Sequence, residues 1–173
     1  MVLIAILQRV YHRPYPELIR TYLQQHYGMA QTRTQLTETQ VREMISGHDE
    51  TGKVPPLVID KGFRAAPTML STPDDMLKFV KANLDEKDPV TRLSHQVTFT
   101  TPQGMPLGLN WMMGKEDNGL PYIMHTGRDG FGFTALCYIY PGKQAGIVIM
   151  VNDSTGEGHV FELKDRIVAQ LFK

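Results

Sequence analysis

Apolar residues recur at two spacings along this chain, and the change from one to the other divides it. Leu3, Ile6, Leu7 and Val10 share one face of a helix over residues 2 to about 11. Arg13-Pro14 ends that segment, because proline disfavours the helical conformation in the residue before it. Pro16 opens a second helix at its N1 position, with Leu18, Ile19, Tyr22 and Leu23 as the buried stripe and Tyr27-Gly28 as its close. From Met29 to Ala66 the pattern loosens: Thr- and Gln-rich sequence, then Gly47, Gly52 and Pro55-Pro56, with Val41, Met44 and Ile45 hinting at a strand or a turn of helix. Such a stretch predicts an excursion over a surface, not core. Ser71-Thr72-Pro73-Asp74-Asp75 is a clean helix start, with Thr72 as N-cap, Pro73 at N1 and acidic residues where the helix dipole favours them. Met76, Phe79, Val80 and Leu84 form its stripe, and the helix ends near Asn83 to Lys87, ahead of Pro89.

After Gly104-Met105-Pro106 the period changes. Apolar runs follow over Leu107 to Met113, Tyr122 to Thr126, Phe133 to Tyr140 and Ala145 to Asn152. Their links, Gly114 to Gly119, Gly127 to Gly130 and Pro141-Gly142-Lys143, are too short for crossover helices, which predicts an antiparallel meander. Ile147-Val148-Ile149-Met150-Val151 is apolar without alternation, so this strand is covered on both faces and lies inside a sheet, its second neighbour outside the meander. Val160, Leu163, Ile167 and Leu171 then recur at helical spacing across residues 158 to 172, a helix lying over the sheet. The predicted fold is α+β: one domain over residues 1–173, an antiparallel sheet of about four strands flanked by helices.

Composition narrows the function. At 173 residues the chain suits one domain with a real core. Lys plus Arg (18) equals Asp plus Glu (18), so no summed field draws in nucleic acid or an anionic membrane surface. The single cysteine, Cys137, falls in an apolar strand pattern and reads as a small core side chain rather than a nucleophile. Met1 to Leu7 is apolar but has no basic residue ahead of it and no small-residue cleavage site after it, so it is not read as a signal peptide. No run approaches the roughly 20 apolar residues of a membrane span. A first helix without a cap reads as cut rather than begun.

Polar chemistry converges with regular structure at Met124-His125-Thr126-Gly127-Arg128-Asp129, where a strand end brings backbone N–H groups, a hydroxyl and a titratable ring together. Elsewhere simpler readings suffice. His48-Asp49-Glu50 reads as a solvated turn, since no second ligand pair at i+3 or i+4 supports a metal site. Asp74 and Asp75 are explained by helix capping, Asp129 before Gly130 by turn chemistry, and Trp111, Met112 and Met113 by core or cover.

A family resemblance adds to this. Leu7-Gln8-Arg9-Val10, Arg13-Pro14-Tyr15, Tyr27-Gly28-Met29 followed by Thr32, Ser71 to Met76, Leu107-Gly108-Leu109-Asn110-Trp111, His125-Thr126-Gly127 and Ile147 to Asn152 come in a telling order and spacing. In that order the chain resembles the carboxy-terminal half of serine beta-lactamase-like proteins, a group holding class C beta-lactamases, D-alanyl-D-alanine carboxypeptidases among the penicillin-binding proteins, D-aminopeptidases and esterases. The resemblance implies that His125-Thr126-Gly127 matches the family's Lys-Thr-Gly or His-Thr-Gly strand. His125 and the Thr126 hydroxyl then hold a substrate carboxylate, Gly127 admits the substrate backbone, and the substrate adds as an extra strand. The N–H of Arg128 becomes one of two donors to the tetrahedral oxyanion. Histidine in place of lysine leans toward peptidase, aminopeptidase or esterase members.

The same resemblance marks what is missing. The family's nucleophile is the Ser of Ser-x-x-Lys and its proton shuttle the Tyr of Tyr-x-Asn. Ser46, Ser71, Ser94 and Ser154 have no lysine three residues on, and no tyrosine here has asparagine at the second position after it. Both motifs, and the strands that should pair with Ile147 to Val151, are expected upstream. Pro67-Thr68-Met69, where relatives often carry a glycine pair, is a further departure. The expectation is a fragment of a serine hydrolase, inactive alone, acting in its whole form on a D-alanyl peptide, beta-lactam or ester without cofactor or metal. The alternative is a non-catalytic module binding a peptide or protein partner. Bare strand edges and uncovered helix faces point to self-association, and relatives suggest a periplasmic or secreted setting.

Overall fold

A strand with both faces covered needs mostly apolar side chains, and the strand from Thr134 to Tyr140 meets that requirement from Ala135 on. In a computed structural model of the chain, which describes residues 2–54, 69–129 and 132–173, it is the strand nearest the middle of the core. Leu136, Tyr138 and Tyr140 point to one face, Cys137 and Ile139 to the other, and all five are buried. The strands are β1 (Phe99–Thr100), β2 (Pro106–Gly108), β3 (Trp111–Lys115), β4 (Pro121–Arg128), β5 (Thr134–Tyr140) and β6 (Ala145–Val151). They form one antiparallel sheet in chain order. The meander and the α+β class are as expected, and the sheet has six strands rather than about four.

The difference has a local cause. The apolar run from Leu107 to Met113 is two strands, because a two-residue turn at Leu109-Asn110 folds it back so that Gly108 faces Trp111. Leu109 takes φ +50°, a conformation that costs a branched residue and that its identity does not advertise. β1 is only two residues long and carries no readable period.

Helices cover both faces. The helices are α1 (Val2–Tyr11), α2 (Tyr15–Ile19, continuing as a π-helical turn over Arg20–His26), α3 (Glu38–Glu43), α4 (Pro73–Asp85), α5 (Pro89–Ser94) and α6 (Glu157–Leu171). Val160 and Val168 of α6 pack with Met124, Leu136, Tyr138, Tyr140, Ile147 and Ile149. Val80 of α4 packs on the other face with Trp111, Ile123, Cys137 and Ile139. Thr72 caps α4 as predicted, its hydroxyl accepting from Asp75 N–H at 3.3 Å. Gly146 lets α4 approach: a Cβ there would lie 2.3 Å from Val80 Cγ1.

Three expectations are corrected. The segment from Met29 is not all surface: Met29, Thr32 and Thr34 are buried, with the Thr32 hydroxyl bonded to Ser71 and Asp75, and they show no apolar period. Asp75 does more than complement a dipole, since its buried carboxylate accepts from Gln31 N–H at 2.7 Å, Thr32 Oγ1 at 3.0 Å and Lys78 Nζ at 2.8 Å. The stripe of α1 is not buried; Leu3 and Val10 are 66% and 63% exposed, and Tyr22 beyond α2 is also exposed. Pro55-Pro56, Pro67, Thr68, Gly130 and Phe131 lie outside the described residues. Among the described residues no helix is long and apolar enough to cross a membrane.

Candidate functional site

The turn that splits the apolar run also shapes the strand end carrying His125. Because the chain reverses at Leu109-Asn110, β3 runs out early, and its register with β4 ends at Met112 opposite Met124. On the other side β4 stays paired with β5 through His125 opposite Cys137, Thr126 opposite Leu136, Gly127 opposite Ala135 and Arg128 opposite Thr134. Among the described residues, therefore, no strand pairs with His125 to Arg128 on the edge facing away from β5. A free edge of this kind presents backbone donors and acceptors to an incoming extended chain.

The four side chains of this edge differ in their ties. His125 is exposed, and its Nε2 lies 3.1 Å from Asn110 Nδ2 on the β2–β3 turn. The half-buried Thr126 hydroxyl donates to Ala135 O at 3.1 Å, so its proton points toward β5 while its lone pairs stay available. Gly127 has no left-handed φ, and a Cβ there would meet nothing within 4 Å, so neither backbone strain nor packing calls for glycine. Arg128 Nη2 pairs with Glu50 Oε1, and with the two side chains 43% and 69% exposed the pair adds little stability.

Glu50 arrives there from far along the chain. His48 N–H donates to Asn152 O at 3.0 Å, Ser154 N–H donates to His48 O at 2.9 Å, and Asn152 Nδ2 donates to Ser46 O at 2.9 Å. Asp49 Oδ1 accepts from the N–H groups of Thr51 and Lys53 and from the Thr51 hydroxyl, and these bonds hold its carboxyl below the usual range. The His48-Asp49-Glu50 stretch is thus a turn, as read, but one docked on the end of the sheet. Gly132, at φ +89°, makes room for it: a Cβ would lie 2.3 Å from His48 N. Asp129 is likewise a turn residue, its Oδ1 accepting from Phe133 N–H at 3.0 Å.

Cys137, opposite His125, is buried, and burial pushes its thiol up to about 12, so it stays protonated at neutral pH. A shallow cleft of about 290 Å³ lies near the other end of β3 and β4, lined by residues such as His95, Met113, Lys115 and Tyr122, apart from His125. The predicted residues His125, Thr126, Gly127 and Arg128 stand together on one strand end. Sequence reasoning missed two of their neighbours. Asn110 had a signal in Gly108-Leu109-Asn110, whose flanking residues suit a turn. Glu50, 78 residues from Arg128, had none.

Comparison with known proteins gives the family and the fold. The family model described as Beta-lactamase matches residues 1–172, and the chain belongs to that family. No curated protein is significantly similar in sequence. Among solved structures, a beta-lactamase/D-alanine carboxypeptidase from Pseudomonas syringae superposes with a TM-score of 0.80 at 19% identity, over 99% of this chain and 57% of that one. A D-alanine carboxypeptidase from Burkholderia cenocepacia gives 0.81 at 18% identity, over 95% and 57%. A class C beta-lactamase gives 0.83 at 17% identity, over 95% and 54%. The chain thus spans a little over half the length of these structures, and at such identities the likeness is one of fold.

Proposed function

We propose that the end of β4 is the substrate-binding edge of a serine hydrolase of this family, carrying the grip for substrate but not the attacking hydroxyl. The observation that carries the reading is the bare edge from His125 to Arg128, with a glycine at 127 that nothing in the fold demands. A substrate backbone laid along that edge would pair as a further strand, and a side chain at 127 would stand in its way. His125 and the Thr126 hydroxyl, after rotation away from Ala135, would hold the substrate's carboxylate. The Arg128 N–H would donate to the oxyanion of the tetrahedral intermediate, a role whose loss costs about 3 kcal/mol in other acyl-transfer enzymes. Only the backbone of Arg128 acts; its side chain is occupied by Glu50.

The substrate class is a D-alanyl peptide, a beta-lactam or a small ester, through an acyl-enzyme. The chain is the carboxy-terminal portion of a larger domain, a reading supported by its share of the matched structures and by β6, which among the described residues pairs with β5 alone. The alternative, a module that binds such peptides without chemistry, rests on the same edge and lacks the same nucleophile. Coding sequence upstream of Met1 carrying Ser-x-x-Lys and Tyr-x-Asn favours the hydrolase; a genuine start signal favours the module.

The test is an exposure of this chain to a fluorescent penicillin alongside an NMR titration with N-acetyl-D-alanyl-D-alanine. No covalent label, with amide shifts concentrated at His125 to Arg128, is the expected outcome. Covalent labelling would overturn the missing nucleophile, and shifts elsewhere or none at all would overturn the edge.

A further inference from the structure

Asn110 belongs to no catalytic motif, yet its amide nitrogen is the one side-chain partner of the His125 ring among the described residues, 3.1 Å from Nε2. An amide nitrogen only donates, so the ring nitrogen facing it must carry a lone pair, and the proton of the neutral ring then sits on Nδ1. A free histidine side chain in water prefers the opposite tautomer. The turn that presents Asn110 is itself held: Leu109 sits at φ +50°, and its N–H donates to Thr98 Oγ1 at 3.1 Å. The amide is therefore placed by the fold beside the first residue of the bare edge, where β3 stops pairing.

We infer that Asn110 is a positioning residue for the binding edge, holding neutral His125 as the Nδ1–H tautomer and so fixing which ring nitrogen donates to an acceptor oxygen of the substrate. This rests on the reading of His125 to Arg128 as a substrate-binding edge. The assignment also constrains the charged ring. With both nitrogens protonated, Nε2–H would face the amide N–H, and the Asn110 amide must turn over to offer its oxygen. Aspartate at 110 has acceptor oxygens only and would select Nε2–H.

Nitrogen-15 labelling of the histidines in the full chain, with long-range proton–nitrogen NMR at alkaline pH, reads the tautomer directly. The expected result is Nδ1–H at His125 in the unaltered chain, and Nε2–H dominating in both Asn110→Ala and Asn110→Asp. The amides of Trp111 and Met124 report whether the hairpin persists; should alanine disturb it, the isosteric aspartate carries the test. Titration with N-acetyl-D-alanyl-D-alanine is expected to weaken about tenfold in Asn110→Ala, the worth of one hydrogen bond. An Nε2–H ring in the unaltered chain, or a tautomer indifferent to both substitutions, overturns the role of Asn110 even where the dipeptide binds. An Nδ1–H ring in a chain that binds no dipeptide overturns the binding edge instead, and with it the use to which the tautomer is put.

Discussion

The Asp75 carboxylate, 1% exposed, ties α4 to the segment after Gly28 through Gln31 and Thr32, while Lys78 bridges it to the carbonyl of Gly28 at 2.8 Å. Burial by itself would raise this carboxyl, but the bonds from Lys78, Gln31 and Thr32 and the lysine's charge outweigh it and hold the group below its ordinary value. A folded pKa below the unfolded one stabilises the fold above the unfolded value, and that stabilisation is lost as pH falls through the folded one. Asp75→Asn should lower stability at neutral pH by about 2 kcal/mol, the cost of leaving buried donors poorly matched, and flatten the decline in acid. Urea unfolding from neutral to acid pH checks this; an unchanged slope would refute it. Across the sheet, Lys164 at 4% exposure lies 3.0 Å from Glu116 and 4.8 Å from the Tyr138 ring centroid, and the Tyr140 hydroxyl donates to Glu116 at 2.6 Å. Glu116→Leu alone should cost about 3 kcal/mol, because it leaves the Lys164 ammonium to the exposed Asp165 and the buried Tyr140 hydroxyl without this acceptor, and adding Lys164→Met should recover part of it. Thermal unfolding of the two single variants and the double one measures the coupling, and simple additivity would refute it.

Among elements, close approach decides more than length. The Gly146 contact sets how near α4 sits to β6, with Val80 Cγ1 where a Cβ would go. Gly146→Ala should cost about 1 to 3 kcal/mol through overpacking, and Val80→Ala in the same chain should return part of that. Chemical denaturation of both variants decides, and a neutral Gly146→Ala would show that α4 can shift. Such contacts bear on what could be read beforehand. The strands β4, β5 and β6 and the helices α4 and α6 were legible because a buried surface imposes a period of 2 or 3.6 on apolar residues. The His125-Thr126-Gly127 strand end was legible for the same reason, by its position where an apolar run meets polar residues. The β2–β3 turn was hidden because Leu109 occupies a conformation its type disfavours, and the buried Thr32 was hidden because it is held by hydrogen bonds rather than by an apolar period. Gly108 and Asn110 hinted at that turn without showing that Asn110 meets His125, and Glu50 reaches the edge through a tertiary contact that local sequence does not encode.

For the whole molecule, two apolar surfaces stand without a covering partner among the described residues. Val2, Leu3, Ile6 and Val10 expose the face of α1. Residues 145–151 of β6 contain neither charge nor proline, and among the described residues the strand pairs with β5 alone. Soluble proteins usually guard such an edge with a charged residue, a proline or a bulge, because an unguarded one accepts another strand. An antiparallel copy of β6 would meet it without any like charges opposed, and the new pairing would also bring further apolar surface out of water. The expectation is that this chain associates as concentration rises. Met150, 38% exposed on this strand, offers a site for a guarding charge. Light scattering across a concentration series should show the apparent mass climbing for the unaltered chain and staying at one copy for Met150→Lys. A second variant, Leu3→Lys, separates the edge from the helix face: if it alone abolishes association, α1 rather than β6 is the adhesive surface. A single-copy mass for the unaltered chain at every concentration would mean that neither surface drives assembly.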